Sequence, residues 1–547
     1  MEVNSIRSIL LVIMFLSNWV VSAQNRYIVY FPDKTDSQYS IDNPVQFLSQ
    51  RAIDRRIHHD ILISEQDFPV SQKYLDSLAK YNVKSFFTSR WMNCALIQID
   101  EEKLKEITGK AFIQSIEYVA PGTRLLDNPK VFDSEYVPNE PGSITRTSEV
   151  QLGMLHANSM HRAGYKGEGI KIAILDGGFI GADSSIIFKH LYEGNKIVDK
   201  VDYISGGTNV FQYDDHGTNV FSCLGSDFGF TMKGTAPNAD YSLFVTEEPE
   251  HKNEYRVEEY NWLFAVERAD SSGVDIISSS LGYNTFEDPT MDYLLEDLDG
   301  KTAIITRAAD IAFSKGMLVV VSAGNSGGDS SWEGKINFPA DANNVLSVGA
   351  VNDKNEVAGF SSKGPSTDDR IKPELVARGV ATTVLHGSGN IGFNNGTSFA
   401  TPLVAGFAAG VWQYRPDLTN VELLELLKTS GDTYDTPGNE RGYGLPTFSK
   451  ITGDILLVDE VLLDKVRVFP NPFTNNTIHI RIPSPFESKS IEFSVYNSKG
   501  KLVGKKKVNN PKPAEIIELN VKSRAIGVYF LTINSAQFTK QVKLIKY

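Results

Sequence analysis

The sequence predicts an α/β fold whose largest part is a doubly wound parallel sheet. Three nearly continuous apolar runs, at residues 170–175, 274–278 and 317–321, are typical of strands that are buried on both faces. Helical patterns at residues 260–271 and 301–315 lie between these runs, and strands that alternate with helices form parallel sheets. Ligands bind such sheets at the carboxyl ends of the strands, so the polar motifs that follow the runs are the candidates for function.

Smaller domains are predicted on both sides of this sheet, because 547 residues exceed the size of one ordinary domain. Residues 25–120 alternate strand and helix patterns, which predicts a small α+β domain with helices at 44–56, 71–81 and 101–108. After residue 466 the β-forming residues alternate and residues 497–500 form a hairpin signal, which predicts a β-sandwich. The predicted units are a signal peptide at 1–23, an α+β domain at 24–122, a linker or processing region at 123–148, the α/β domain at 149–450, a linker at 451–465 and the β-sandwich at 466–547.

The N-terminus carries the features of a secretory signal peptide. Arg7 precedes an apolar run at residues 9–21, and small residues stand at the positions that signal peptidase reads, with cleavage expected before Gln24. The run is too short for an ordinary membrane span, and no later segment reaches the necessary length. We therefore expect an exported protein without a transmembrane segment after signal removal; an uncleaved N-terminal anchor is the alternative.

Charge and cysteine content exclude several classes of protein. A formal net charge of −13 argues against a nucleic-acid-binding protein, which would carry a basic surface. Cys94 and Cys223 fall in different predicted domains, so we expect neither a disulfide between them nor a catalytic thiol. Cys223 fits a small apolar residue on a buried helix.

The segment from Gly396 to Pro402 presents a serine at the start of a helix. A glycine-led turn brings Ser398 to a helix that is rich in small residues and is predicted at 401–412, with Pro402 at an early helical position. A helix N-terminus favours negative charge. Serine alone is a weak nucleophile, so the site needs a base and an orienting acid.

Both groups follow in the α/β domain. Asp176 directly follows the 170–175 strand, and His216 is expected to open a helix. Their chemistry suggests the roles: His216 takes the proton of Ser398, and Asp176 holds the imidazole in the required tautomer. Asn325 follows the 317–321 strand and is a side-chain donor for a tetrahedral oxyanion, with the backbone N–H of Ser398 as the second donor.

These motifs resemble those of the subtilases, the subtilisin-like S8 family of serine peptidases. The matching motifs are Asp176-Gly177-Gly178, His216-Gly217-Thr218, Ala323-Gly324-Asn325 and Gly396-Thr397-Ser398-Phe399-Ala400-Thr401-Pro402. The resemblance, over residues 151–446, implies a secreted serine endopeptidase that hydrolyses peptide bonds of a protein substrate through an acyl-enzyme. It also implies that residues 24–122 are an inhibitory prosegment, so that the enzyme is made as a zymogen, and we expect it to be a monomer.

The resemblance also implies where substrate binds. Ser280, Leu281 and Gly282 resemble the segment that pairs with the substrate as an additional strand and lines the pocket for the residue before the cut. Gly324 lies in the motif that carries Asn325 and is included in the same expected substrate site.

The C-terminal domain resembles the sorting domain of the type IX secretion system of Bacteroidota. The matching pieces are Phe469-Pro470-Asn471-Pro472, Gly527-Val528-Tyr529-Phe530 and the Lys-rich end of the chain. This resemblance implies the secretion machinery as a partner and export through the periplasm and outer membrane, with secretion or attachment to the cell surface. A carbohydrate-binding module is the alternative for this domain.

Three residues depart from the usual subtilase pattern. Gly177 stands where a Ser or Thr hydroxyl usually supports the carboxylate, Asn219 where a second histidine is common, and Phe399 where methionine is common. None removes a catalytic group. They bear on the rate and fine geometry of the site rather than on the reaction class.

Other candidate sites are weaker. Residues 387–392 match a dinucleotide fingerprint, but no helix is expected at the third glycine and no acidic residue follows at the required distance, so we reject nucleotide binding. We expect no cofactor and no catalytic metal, since the sequence has no metal-ligand motif. A structural calcium ion stays open at the acidic pairs 214–215, 296–297 and 368–369, for which solvated surface is the main interpretation. The alternative function is a non-catalytic surface-binding protein on a subtilase scaffold.

Overall fold

The computed structural model describes residues 24–122, 147–229, 231–248, 254–453, 467–481, 490–509, 515–523, 525–535 and 539–547. The predicted signal peptide and most of both predicted linkers lie outside these ranges. No helix within the described ranges has the length and hydropathy needed to cross a bilayer.

The N-terminal domain is a four-stranded antiparallel sheet with three helices, in the strand order β2-β3-β1-β4. Its elements are β1 (Asn25–Tyr30), α1 (Gln50–His58), α2 (Gln72–Lys80), β2 (Ser85–Ser89), β3 (Cys94–Ile99), α3 (Glu101–Ile107) and β4 (Ser115–Pro121). The helix predicted at 44–56 is divided into a short 3₁₀ turn, Pro44–Gln46, and α1, because the Ser49 side chain accepts a hydrogen bond from the N–H of Ala52 and caps a new helix. The sequence patterns did not predict β2.

The central domain is built on a seven-stranded parallel sheet in the order β13-β12-β11-β10-β5-β9-β6. Its strands are β5 (Lys171–Asp176), β6 (Ile197–Asp202), β7 (Asp227–Phe228), β8 (Met232–Lys233), β9 (Asp240–Val245), β10 (Ile276–Ser279), β11 (Leu318–Ser322), β12 (Leu346–Val351), β13 (Leu375–Arg378), β14 (Thr382–Leu385) and β15 (Ile391–Asn394). Its helices are α4 (Glu149–Met154), α5 (Ala157–Arg162), α6 (Lys189–Glu193), α7 (His216–Gly225), α8 (Val257–Ser272), α9 (Ile304–Ser314), α10 (Thr397–Tyr414), α11 (Asn420–Thr429) and α12 (Phe448–Thr452). The predicted α/β class is confirmed.

Helix α10 lies at the centre of this domain. It packs against β10, β11, β12 and β13 and against α7, and it is buried from Thr397 to Trp412. Its small residues allow this close packing: a Cβ on Gly406 would lie 2.0 Å from the Thr235 hydroxyl, and one on Gly410 would lie 2.4 Å from Met160. The helix therefore holds its N-terminal residues at the carboxyl ends of the central strands.

The rejected nucleotide fingerprint at 387–392 spans the turn of a hairpin. Strands β14 and β15 pair antiparallel on either side of it, and no helix opens there. Cys94 and Cys223 are buried free thiols, and Cys223 lies on the buried helix α7, as predicted.

The C-terminal domain consists of two antiparallel sheets. One has the order β16-β17-β20 and the other β19-β18-β21-β22. The strands are β16 (Arg467–Phe469), β17 (Thr477–Arg481), β18 (Ser490–Asn497), β19 (Leu502–Asn509), β20 (Ile516–Asn520), β21 (Gly527–Ser535) and β22 (Thr539–Lys546). Buried apolar residues from both sheets, among them Ile478 and Phe493, form one core. The predicted hairpin joins β18 to β19.

The two faces of the N-terminal sheet pack differently. Along β1, Tyr27 and Val29 face the domain's own helices and form its separate core. Ile28, between them, belongs to the core of the central domain, as do Cys94 and Leu96 on β3. This alternation follows from the period of two in a strand. The sheet therefore rests on the central domain, where β2 and α1 pack against α8.

Candidate active site

Asp176 and His216 are joined by a hydrogen bond. Asp176 ends β5 and is fully buried, and His216 is the first residue of α7. His216 Nδ1 lies 2.8 Å from Asp176 Oδ1, which also accepts the N–H of Gly177 at 2.8 Å. A third of the His216 side chain is exposed, so the ring has a buried edge on the carboxylate and an open edge on the surface.

The charges around His216 favour its protonated form. Burial disfavours the imidazolium, but the charge and hydrogen bond of Asp176, together with the carboxylates of Asp214 and Asp215, outweigh burial and raise the pKa of His216 to about 9. These carboxylates therefore stabilise the positive charge that the ring acquires when it accepts a proton.

Ser398 lies in the first turn of α10, which begins at Thr397, four residues earlier than predicted. Pro402 is therefore inside the helix, and the expectation of an early helical position was wrong. Because Pro402 has no N–H to donate to the carbonyl of Ser398, that oxygen accepts the Ser280 hydroxyl instead, at 2.8 Å. This contact ties the start of α10 to the end of β10.

The Ser398 hydroxyl donates to the carbonyl oxygen of Ser280 at 3.4 Å and is not hydrogen-bonded to His216. The two residues lie on packed helices, since α7 contacts α10, and the ring of Phe399 stands 5.7 Å from the His216 ring, centre to centre. The structure thus brings the predicted nucleophile and base to one place, with the serine in a rotamer that faces the β10 end.

Asn325 is held by the residue that precedes Ser398. Its Oδ1 accepts both the N–H and the hydroxyl of Thr397, each at 3.0 Å. With the oxygen engaged twice, the Nδ2 amide is the end that remains as donor. It lies 3.7 Å from the point that a Cβ on Gly396 would occupy. The N–H of Ser398, in the first helical turn, has no intrahelical acceptor.

The expected substrate segment follows β10 at the same edge of the sheet. The carbonyl of Leu281 accepts the Ser322 hydroxyl at 3.2 Å, and the next residues pair through Tyr283 and Phe338 in an isolated antiparallel bridge. A Cβ on Gly282 or on Gly324 would lie 3.1 or 3.0 Å from the side chain of Asn337. A side chain at either glycine would therefore press against Asn337, so both positions are closely packed.

The three unusual residues each have a structural consequence. Asp176 Oδ2 is buried without a hydrogen-bond partner among the described residues, as expected where Gly177 brings no hydroxyl. Asn219 donates to the Asp215 carbonyl at 2.6 Å and accepts from Asn394, so it ties α7 to β15. Phe399 packs against the His216 ring.

Sequence reasoning missed two contributors to this region. Thr397 orients Asn325, although its place beside Ser398 in the motif was a usable signal. No sequence signal pointed to Glu247. Its Cβ lies 3.7 Å from the position of a Cβ on Gly177 only because β9 is the neighbour of β5 in the sheet.

The acidic pairs have protein partners. Asp214 accepts the N–H of His216 at 3.0 Å, Asp215 accepts the N–H of Gly387 at 2.7 Å, and Asp368 forms an ion pair with Arg370 at 2.8 Å. Within the described ranges, no group of three or more His, Cys, Asp or Glu residues is arranged to hold a metal ion. A structural calcium ion at these acidic pairs therefore stays a prediction.

Comparison with known proteins identifies all three domains. The model of the subtilase family matches residues 167–445, that of the Bacteroidota peptidase S8 propeptide domain matches residues 26–131, and that of the secretion system C-terminal sorting domain matches residues 467–547. The sorting domain indicates export, with secretion or attachment to the cell surface, and implies the secretion machinery as a partner.

Characterised proteins that are similar to this chain are subtilisins and serine proteases. Subtilisin E of Bacillus subtilis is 29% identical over 381 residues, which cover 68% of this chain and 84% of the relative. A subtilisin of Bacillus pumilus is 31% identical, over 51% of this chain and 90% of its own length. Serine protease AprX of Bacillus subtilis is 30% identical, over 53% of this chain and 68% of its own length. The chain belongs to the subtilase family of serine peptidases, with its own propeptide and sorting domains.

Proposed function

We propose that the chain is a serine endopeptidase made as a zymogen, with Ser398 as nucleophile, His216 as base and Asp176 as the acid that orients His216. The observation that carries the proposal is the 2.8 Å hydrogen bond from His216 Nδ1 to the fully buried Asp176, at the start of a helix that packs against the helix of Ser398. A buried carboxylate on Nδ1 fixes the tautomer and leaves Nε2 for the serine proton.

The reaction begins with a rotamer change. Rotation about χ1 of Ser398 exchanges the 3.4 Å contact with the Ser280 carbonyl for one with His216 Nε2. The neutral imidazole then removes the proton as Ser398 Oγ attacks the substrate carbonyl, and the imidazolium returns that proton to the leaving amine. Water repeats the sequence on the acyl-enzyme and releases the acid product.

Asn325 and the Ser398 N–H stabilise the charge that develops on the carbonyl oxygen. Thr397 supports this role because it occupies Asn325 Oδ1 from two directions and leaves Nδ2 as the donor. These residues provide the nucleophile, base, orienting acid and oxyanion donors, so the proposed chemistry requires no cofactor. A bound calcium ion would be structural, and we propose that the active enzyme is a monomer.

The alternative is a non-catalytic surface-binding protein on the same scaffold, and labelling with a fluorophosphonate separates the two. We expect the processed enzyme to be labelled on Ser398, and the Ser398→Ala variant not to be labelled. Ser388→Ala, at a serine in the hairpin turn between β14 and β15, is the matched control and should be labelled as the wild type is. A processed wild-type protein that the fluorophosphonate does not label would contradict the peptidase proposal.

Removal of the oxyanion donor tests the second part of the site. Loss of one such donor lowers kcat by about 10²–10³. Asn325→Ala should therefore show this loss in kcat with little change in KM, as measured on a neutral peptide. Thr397→Val removes one of the two bonds that orient the amide and should give a smaller loss. An Asn325→Ala enzyme with wild-type kcat would contradict the assignment.

A further inference from the structure

A group of carboxylates lies beside the site, where β9 ends and α8 begins. We call Glu247, Glu248, Glu254 and Glu258 the acidic socket. Glu258 accepts the N–H of Glu248 at 2.7 Å and the N–H of Tyr255 at 2.9 Å. Glu248 and Glu258 are 8% and 2% exposed, so their carboxylates are held in place inside the protein.

The N-terminal domain inserts an arginine into the acidic socket. The two terminal nitrogens of Arg26 donate to the two oxygens of Glu248, one of them at 2.9 Å, and Nε donates to the carbonyl of Pro121 at 2.7 Å. Arg26 is 2% exposed. A two-point contact of this kind fits the planar guanidinium closely. In the precursor, Glu248 therefore binds a guanidinium group.

The acidic socket brings several carboxyl groups close to one another, which opposes their ionisation. Arg26 forms an ion pair with Glu248. Burial and the charge of Glu254 raise the pKa of Glu247 to about 8, and burial and the charge of Glu247 raise the pKa of Glu258 well above its ordinary value. When the N-terminal domain leaves, the socket loses its arginine and keeps its carboxylates.

The acidic socket lies next to Asp176 and to the expected substrate segment, 280–282. Asp176 pairs with Val245 across β5 and β9, and the carbonyl of Asp176 accepts the N–H of Thr246, so the chain runs from the catalytic strand end directly into the socket. Tyr283 follows the expected substrate segment, 280–282, and its hydroxyl donates to Glu247. The socket is therefore attached to the segment expected to line the pocket for the residue before the cut.

We propose that, after release of the N-terminal domain, the acidic socket binds the basic side chain of a peptide substrate, arginine in preference to lysine, on the N-terminal side of the scissile bond. The proposal rests on the proposed function and names its substrate class. Arg26 occupies in the precursor the place that a substrate arginine takes in the mature enzyme. Glu248 provides the two-point contact.

Paired peptides test the proposal on the enzyme matured from the full-length precursor. In an otherwise neutral fluorogenic peptide, arginine is placed at each of the four positions before the scissile bond in turn, and a matched set carries citrulline, its neutral isostere. We expect an arginine-to-citrulline ratio of kcat/KM of at least about tenfold at one position, in line with charge-assisted hydrogen bonds. In Glu248→Gln the ratio should fall to near one. Glu193→Gln, an exposed glutamate on α6, should keep the wild-type ratio and activity.

Equal cleavage of arginine and citrulline peptides at every position would overturn the proposal, as would an unchanged ratio in Glu248→Gln. If Glu248→Gln does not mature, the wild-type ratios alone decide. Failure of the proposed function is recognised separately, because an enzyme without it cleaves no peptide of either set. Binding of the arginine and citrulline peptides to this inactive protein is then measured by calorimetry. Tighter binding of the arginine peptide supports the acidic socket, and equal binding contradicts it.

Discussion

The two ends of helix α8 carry buried acidic residues that are treated in opposite ways. At the C-terminal end, Asp270 accepts hydrogen bonds from three arginines of the N-terminal domain, Arg55, Arg56 and Arg90. At the N-terminal end, Glu258 is held by backbone N–H groups and belongs to the acidic socket, where Arg26 pairs with Glu248. At one end three arginines share a carboxylate, and at the other Glu258 lies among further carboxyl groups.

The pKa values follow this difference. Burial would raise the pKa of Asp270, but the three arginines overcome burial and lower it. Burial raises the pKa of Glu258, and the charge of Glu247 raises it further. Because breaking a buried ion pair leaves an uncompensated charge, the Asp270 end should contribute most of the attachment of the N-terminal domain. Under the proposal above, the acidic socket end becomes open to a substrate arginine when the N-terminal domain leaves. We therefore expect the C-terminal end of α8 to hold the N-terminal domain and its N-terminal end to select substrates.

Asp270→Asn is expected to have the largest effect. The substitution removes a carboxylate that three buried guanidinium groups share, although Arg56 keeps Asp67 and Arg90 keeps Glu267. It should lower the free energy of unfolding of the precursor by about 3–5 kcal/mol. Urea unfolding of the Ser398→Ala precursor, which cannot process itself under the proposed mechanism, measures this loss by tryptophan fluorescence.

The matched control for this substitution is Asp275→Asn. Its partner Arg51 is 39% exposed, and pairs at the surface contribute about 0–1 kcal/mol. Equal losses for the two variants would remove the distinction between the well-paired end of α8 and an ordinary surface pair.

Arg26→Met should have the next largest effect. It removes the two-point contact with Glu248 and should cost about 1.5–3 kcal/mol in the same unfolding experiment. Arg26→Lys keeps the charge but loses one of the two bonds to Glu248, so we expect an intermediate loss. If the lysine variant is as unstable as the methionine variant, charge in the acidic socket matters less than proposed.

The smallest effect is a change in pH dependence. The pKa of Glu247 is raised from 4.5 to about 8, so the folded precursor keeps a proton that the unfolded chain has lost. The contribution of Glu247 is fully present below pH 4.5 and is lost as the pH rises to about 8. Glu247→Gln should therefore flatten the decline in stability of the Ser398→Ala precursor between these limits.

His216, with a pKa of about 9, contributes a decline of the same sign from pH 6.5 upward, but it is present in both proteins and cancels in the difference. Glu193→Gln, which lies on α6 away from the acidic socket, should keep the wild-type slope. A Glu247→Gln precursor with that same slope would show that Glu247 keeps its ordinary pKa.

Much of the fold was predictable because its signals are local. The buried strands β5, β10 and β11 appeared as apolar runs within a residue or two of their observed bounds, and β3 was predicted at its observed bounds, Cys94–Ile99. Errors occurred where local and tertiary preferences differ. The start of α10 was placed too late because Pro402 signals an early helical position, whereas packing of the small-residue helix against four strands extends it to Thr397.

The candidate site divides in the same way. Residue type and motif spacing predicted Asp176, His216, Ser398 and Asn325, since each chemical role requires a particular side chain at a strand or helix end. The partners that hold them came from distant segments. The Ser280 hydroxyl donates to the Ser398 carbonyl, 118 residues away in the chain, only because β10 and α10 are packed together.

The sequence by itself determined the order of the three matched domains and the fold class, and it predicted the chemical groups of the candidate site, because periodicity and motif spacing are properties of short segments. Only the tertiary structure decided where charge is compensated. Arg26 and Glu248 are separated by 222 residues, and Asp270 meets arginines from two different elements of the N-terminal domain. The strength of a buried charge depends on the ions within a few ångströms of it and on its distance from water, and these are properties of the assembled protein alone.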